Sequence, residues 1–371
     1  MRFRAPVVAV FALAATTAVL PAHADFTFGG NSRAFAMGGA GLAIVDRLAR
    51  SNRINPAALA LMNRRVRLDS ASIGLRASGI PLRQAWDHLT GTPDENDASE
   101  LARDFGKRDS NFGVSLAFGL RFGHVAARAE GVGKARVLPN ERLEAWARNE
   151  NGDVDKLADP QYEGARADFL GAAVYNLPTI EVAERVSPAG SPTRVEVGTR
   201  IKLMHAVYSH YLADRQSIID DTAADPAPEM HGRSTLEKSG LGIDVGFLVH
   251  PRDYEGLSGA LLVTNLIEPN FRFDGTDETG AARRYDLQPR SVALGTAYVE
   301  GRVVTAFDVV DITRSYGDVQ ARLGAEYATR GLALRAGYSS AAGFTAGFGY
   351  GFLQFAFGGR APLEVVQTLR F

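Results

Sequence analysis

One strand pattern returns along almost the whole sequence and limits what it can build. Phe112, Val114, Leu116, Phe118 and Leu120 alternate with Gly113, Ser115, Ala117, Gly119 and Arg121. Such a strand carries an apolar row on one face and small or polar residues on the other. The same period recurs in 125–137, 195–211, 241–250, 319–327, 332–338 and 344–352, and less regularly in 66–77, 165–175, 257–266, 292–299, 303–312 and 353–358. The apolar row reads as a face toward hydrocarbon. Beyond the first 24 residues no apolar run reaches the roughly 20 residues a helix needs to cross a bilayer, so a chain of this kind enters a membrane as a closed antiparallel β-barrel. With the C-terminal strand the count is about fourteen, even as bacterial barrels require.

The two ends point the same way. Leu363, Val365, Leu369 and Phe371 alternate with Glu364, Val366, Thr368 and Arg370, as expected of a closing strand whose terminal aromatic, Phe371, serves as the assembly signal for the barrel-assembly machinery. Alone, those residues equally fit an ordinary last strand of a soluble sandwich. At the other end Arg2 and Arg4 precede an apolar run from Ala5 to Leu20 and the small-x-small site Ala22-His23-Ala24, a cleaved signal peptide by pattern. The expectation is export to the outer membrane of a Gram-negative-type bacterium, with a signal peptide at 1–24, an N-terminal hatch or plug at 25–64 and the barrel at 65–371. Outer-membrane lipid is the implied surrounding.

Composition excludes some classes. Loss of the signal leaves 39 basic against 42 acidic residues, so no global field favours nucleic acid. The chain has no cysteine, hence no disulfide framework, thiolate nucleophile or Cys-based metal site. Glycine, 39 of 371 residues, exceeds the usual share of about 7% and suits tight turns and closely packed strands. Connection lengths alternate too: Phe122-Gly123, 251–255, Glu300-Gly301, Arg330-Gly331 and the turn near Gly351 are short, while 81–111, 138–164, 213–233 and 268–284 are long and polar. Long loops at one rim over short turns at the other are the asymmetry of outer-membrane barrels. The segment 177–193 is the departure, too long for a turn at the short rim. Within the long connections, Asp97 to Gly106 and Asn140 to Ala147 carry helix signals, the second with Asn140 as cap.

Residues 26–62 do not read as barrel. Gly29 to Asp46 and the stretch Asn55-Pro56-Ala57-Ala58-Leu59-Ala60 are dense in small residues and lack strand period. Asn55 precedes a proline and is biased away from the α region, and Pro56 suits the first turn of a helix. The run Arg33-Ala34-Phe35-Ala36-Met37-Gly38-Gly39-Ala40-Gly41, then Asp46, then Asn55-Pro56-Ala57, resembles the N-terminal region of FadL-type outer-membrane transporters of hydrophobic compounds and of their relatives, the TraF-like conjugation proteins and PorV-like secretion components. The resemblance is specific over residues 31–62 and generic over the strands. It implies a hatch folded into the barrel, with Arg33, Gly38, Gly39, Asp46, Asn55, Pro56 and Ala57 as structural plug residues.

Chemistry of a catalytic kind is not indicated. His205 and His210 differ by five and face opposite sides of a strand, no G-x-S-x-G elbow occurs, and Asp220, Asp221 and Asp225 match no calcium-loop spacing. The chain reads as no enzyme, with neither cofactor nor metal. More informative is the polar row facing the lumen: His124, Arg128, Glu130, Arg200, Asp244, Arg322, Glu326 and Arg335. Balanced charge inside a barrel either anchors a plug through salt bridges or selects a polar head group, and the sequence leaves both open. The resemblance implies passive uptake or passage of a hydrophobic or amphipathic small-molecule ligand. The alternative it carries is a non-transporting barrel that serves as an assembly or docking component of a conjugation or secretion apparatus.

Overall fold

The alternating segments pair as antiparallel strands in a computed structural model. It describes residues 32–45, 54–62, 66–78, 110–150, 153–216, 219, 235–276, 282–315, 317–351, 353–358 and 363–370. The signal segment, Asp46, the helix expected at 97–106, the acidic loop at 220–225 and Phe371 lie outside the described residues. The strands are β1 (Val66–Ser78), β2 (Ser110–Phe122), β3 (Val125–Pro139), β4 (Arg166–Arg185), β5 (Thr193–Asp214), β6 (Thr235–Pro251), β7 (Leu257–Ile267), β8 (Arg272–Thr276) and β9 (Ala282–Asp286). They continue with β10 (Ser291–Glu300), β11 (Val303–Val310), β12 (Gln320–Ala328), β13 (Leu332–Ser339), β14 (Gly343–Tyr350), β15 (Leu353–Gly358) and β16 (Leu363–Arg370).

All but β8 and β9 join in one ring, in which each strand pairs with its sequence neighbours and β7 pairs with β10. The ring closes where β1 meets β16 with Ser70 opposite Arg370 and Ala77 opposite Leu363. Strands β8 and β9 form a separate two-stranded hairpin within the connection between β7 and β10. That hairpin is a finding beyond the sequence reading, which took 268–284 as loop.

Alternation decides what each face meets. Leu116, Phe118, Phe344 and Phe348 stand 55%, 46%, 79% and 41% exposed on the outside of the ring, and the rings of Phe348 and Phe355 lie 5.2 Å apart there. The intervening residues Gly119, Thr345, Gly347 and Ala356 are buried on the inside. Phe112 lies in β2, but its side chain is outside the description.

Strand lengths are unequal. β4 runs for 20 residues and β5 for 22, about twice the 9–11 residues a tilted strand needs to cross a bilayer. The surplus stands at the rim of the long connections. There Glu141–Asn149 forms a helix capped by Asn140, whose side-chain oxygen accepts the Leu143 N–H at 3.0 Å. Trp146, Leu143, Leu157 and Tyr162 close that loop over Val137 and Ala167.

The long segment 177–193 is corrected by β4. The strand continues past Tyr175 to Arg185, and the connection to β5 shrinks to 186–192, in keeping with the short rim. The reason is a bulge: register slips between Asn176 and Thr179 on both sides of the strand. Leu177 and Pro178 both turn outward, so lumen positions pass from 172, 174 and 176 to 179, 181 and 183. An extra residue flips the parity that a period-2 reading follows.

Candidate functional site

Residues 32–45 and 54–62 lie against inward-facing residues of the ring strands, held at two seats. At the first, a short helix, Ser32–Ala36, lies against β13 to β16. Arg33 points at the wall and gives Glu326 two bonds, Nε to Oε2 at 2.9 Å and Nη2 to Oε1 at 2.6 Å. Arg335 Nε reaches the same carboxylate at 2.5 Å. Glu326 is thus a buried anion between two guanidiniums, a geometry that repays desolvation only because both oxygens are bonded.

Past the helix the chain turns through Gly38 and Gly39, at φ of 70° and 83°, a left-handed region costly for other residues. Gly38 donates its N–H to Thr345 Oγ1 at 2.9 Å, and that hydroxyl donates to Ala36 O at 3.1 Å. Gly41 and Leu42 both donate backbone N–H to Asp308 Oδ2, at 2.7 and 2.9 Å, while Ser258 Oγ donates to Ala43 O at 2.6 Å. Met37, Leu42 and Ile44 then pack on Leu248, Leu262 and Val304 of the wall.

The second seat holds Asn55-Pro56-Ala57. Asn55 is extended, as a residue before proline must be, and caps the 3-10 turn Pro56–Leu61 by accepting the Ala57 N–H at 2.9 Å. Its Nδ2 donates to Phe247 O of β6 at 2.9 Å. One amide therefore caps the turn and ties it to the wall. The wall beneath is glycine: a Cβ at Gly198 would come closer than 3.0 Å to Pro56 and Ala57, and one at Gly246 equally close to Asn55 and Pro56.

Above these two seats an ionic belt crosses β3 to β7. Arg128 and Arg200 both meet Glu181, at 3.2 and 2.5 Å. Arg200 also reaches Asp244 at 3.3 Å, and Lys202 meets Asp244 at 2.6 Å. Arg128 adds Glu130 at 3.1 Å. Asn265 ties in β7: its N–H donates to Asp244 Oδ1 at 2.8 Å and its Oδ1 accepts from Lys202 Nζ at 2.5 Å. Among the described residues these are three cations and three carboxylates, six groups whose charges balance.

Beyond the belt the lumen turns apolar again. Val132, Val174, Met204, Ala206 and Tyr208 of the wall join Phe271, Phe273 and Leu287 from the hairpin connection. Phe273 stacks on Tyr208 with centroids 4.9 Å apart, Tyr285 stands 5.9 Å from Tyr208, and Lys238 Nζ lies 4.7 Å over the Phe273 ring.

The residues singled out from sequence therefore divide. Arg33, Glu326 and Arg335 form one cluster, Arg128, Glu130, Arg200 and Asp244 another, and Arg322 lies alongside Gly39. His124 stands apart, half-buried in the turn between β2 and β3. Glu181, Asn265 and Asp308 had not been singled out. Glu181 was hidden by the β4 bulge, whereas Asp308 carried a signal, being the one acid on the inward row of Val304 and Ala306.

Residues 53–309 match the family model described as "F plasmid transfer operon, TraF, protein". No curated protein matches the chain. Among solved structures the chain is similar to the toluene transporter TodX of P. putida, at 13% identity and a TM-score of 0.51 over 92% of this chain and 98% of that one. The CymD monoaromatic hydrocarbon channel aligns at 13% identity with a TM-score of 0.49 over 94% and 99%. The toluene transporter TbuX of Ralstonia pickettii aligns at 11% identity and 0.38 over 92% and 98%. At such identities the TodX likeness speaks to fold alone.

Proposed function

The chain belongs to the TraF family of the F plasmid transfer operon, and on that premise we propose that it is an outer-membrane barrel for passage of hydrophobic or amphipathic small molecules, closed by residues 32–45 and 54–62 as its plug. The observation that carries this is the lining of the lumen. Barrels that conduct water-soluble solutes have polar interiors. Here Val132, Val174, Met204 and Tyr208 of the wall, with Phe273 and Tyr285 of the β8–β9 hairpin facing them, make an apolar stretch above the plug, the lining an apolar solute needs. In this reading a solute enters beside the hairpin, rests on the apolar stretch and leaves when the plug yields or sideways through the wall. The toluene transporter TodX among the structural neighbours agrees with that class of solute.

A second reading has its own support. The family description names a transfer operon, and the plug is bound at two seats, by the buried Arg33–Glu326 ion pair at the first and by hydrogen bonds at both. A sealed barrel that docks a transfer apparatus fits both. The discriminating experiment measures ethylbenzene entry into cells with an intact lipopolysaccharide barrier and no other hydrocarbon channel. Expression of the full chain should raise the entry rate severalfold. Equal rates with and without the chain would overturn passage and leave docking.

A further inference from the structure

The β4 bulge places two polar side chains on the lumen face with nothing to bind. Asn176 and Thr179 are fully buried. Neither the amide oxygen and nitrogen of Asn176 nor the hydroxyl of Thr179 has a hydrogen-bond partner among the described residues. Native interiors leave few such groups, because each has lost its water without replacement. Three in one place call for a partner.

Their placement says what that partner is. Asn176 stands opposite Met204 of β5 and Glu130 of β3, while Thr179 stands opposite Lys202 and Arg128. Since Leu177 and Pro178 both turn outward, the two occupy consecutive lumen positions, about 7 Å apart as two residues of strand are. An oxygen between them can hydrogen-bond both. Toward the long-loop rim the neighbours are the apolar Val174, Val132 and Met204, packed with Phe271, Phe273 and Leu287 of the hairpin connection. Toward the plug lies the ionic belt, whose three cations are each already held by carboxylates. Among the described residues a carboxylate head would find no surplus cation there and would face Glu130 and Glu181. A neutral head that both accepts and donates meets no such penalty.

We propose that Asn176 and Thr179 form the polar end of a binding site for a neutral, hydroxyl-bearing amphipath whose hydrocarbon part lies against Val132, Val174 and Met204. The hydroxyl accepts from Asn176 Nδ2–H and donates to Thr179 Oγ1. This deepens the passage reading and rests on it. It makes the bulge the place where solutes with identical tails are told apart by their heads.

The test uses three probes with one tail: 4-propylphenol, propylbenzene and 4-propylbenzoate, titrated calorimetrically into the mature chain in lipid nanodiscs. The phenol should bind at least tenfold more tightly than either companion. Thr179→Val, nearly isosteric, and Asn176→Leu should each bring the phenol to within about threefold of propylbenzene and change propylbenzene affinity less than twofold. Heat-modifiable mobility checks their folding, and Thr179→Val alone suffices if Asn176→Leu fails to assemble. No advantage for the phenol in the unaltered chain, or an advantage that survives Thr179→Val, overturns the site. So does a phenol-blind chain destabilised by Thr179→Val, the mark of an ordered water held between the two groups. Ethylbenzene entry without head-group preference would sink this site and leave passage standing, whereas neither binding nor entry would sink both.

Discussion

Replacing Arg33 by Ala tests whether the plug is held by its ion pair with the wall. Arg33 places two charge-assisted hydrogen bonds on Glu326, at 2.9 and 2.6 Å, and both partners are buried. The substitution leaves Glu326 paired with Arg335 at 2.5 Å, so it does not strand a buried charge, which would cost about 3–5 kcal/mol. What is lost is the pair of bonds, each worth about 1.5–3 kcal/mol to stability. Some of that returns as Glu326 settles fully on Arg335. A net of about 3 kcal/mol corresponds to about a hundredfold change in an equilibrium. The change falls on the seating of the plug and spares the ring, because no strand pairing depends on Arg33.

The open probability of single barrels in planar bilayers should therefore rise by about two orders of magnitude in Arg33→Ala. Arg33→Lys keeps the charge but gives up the forked geometry, and its rise should be about tenfold. Heat-modifiable gel mobility would show both variants folded. An open probability within twofold of the unaltered chain, in a folded Arg33→Ala barrel, refutes the ion pair as an anchor. Glu326→Ala should be the harsher change, since it leaves Arg33 and Arg335 facing each other without their anion.

Phe348, on the outer face against Phe355, should cost about 2–4 kcal/mol as Phe348→Arg if it sits near the bilayer midplane; urea unfolding in lipid vesicles reads this, and a change under 0.5 kcal/mol would place Phe348 off the hydrocarbon. Gly246→Val should unseat Asn55 and Pro56 and raise conductance, whereas Gly259→Ala, with nothing within 4 Å of its added carbon, should leave the trace unchanged; equal traces would refute the glycine seat. Deleting 25–62 should leave a ring that still runs as a heat-modifiable barrel but conducts continuously, because every ring hydrogen bond lies outside that segment. Failure of that deletion to fold would show that the plug is part of the barrel's core.

How much of this was legible follows from what period 2 can and cannot carry. The ring strands were readable because each has one buried and one more exposed face, and alternation records that directly. It failed in β4, where one bulge reverses inside and outside between Asn176 and Thr179 and a proline interrupts the pattern. It also failed at the hairpin of β8 and β9, whose strands of five residues each sit in a polar connection. The N-terminal segment stood out because it obeys no strand period, yet its contacts with the wall were not legible. Arg33 and Glu326 are 293 residues apart, and nothing local to either names the other.

The glycines show how a seat is nevertheless written in the sequence. Small residues on the inward face of a strand look alike whether they line an open lumen or the floor beneath a buried segment. Register separates the two cases. Gly198 of β5 lies directly opposite Gly246 of β6, under Asn55-Pro56-Ala57. Gly324 of β12 lies directly opposite Gly337 of β13, under Met37 and Gly38. A facing pair removes two neighbouring Cβ atoms from the wall at once and opens a dent deep enough for another backbone to lie in. The excess of glycine in this chain thus has a use besides turns. Two strands that must not separate each give up a side chain at the same level, and the N-terminal segment occupies the space at the two places where they do so.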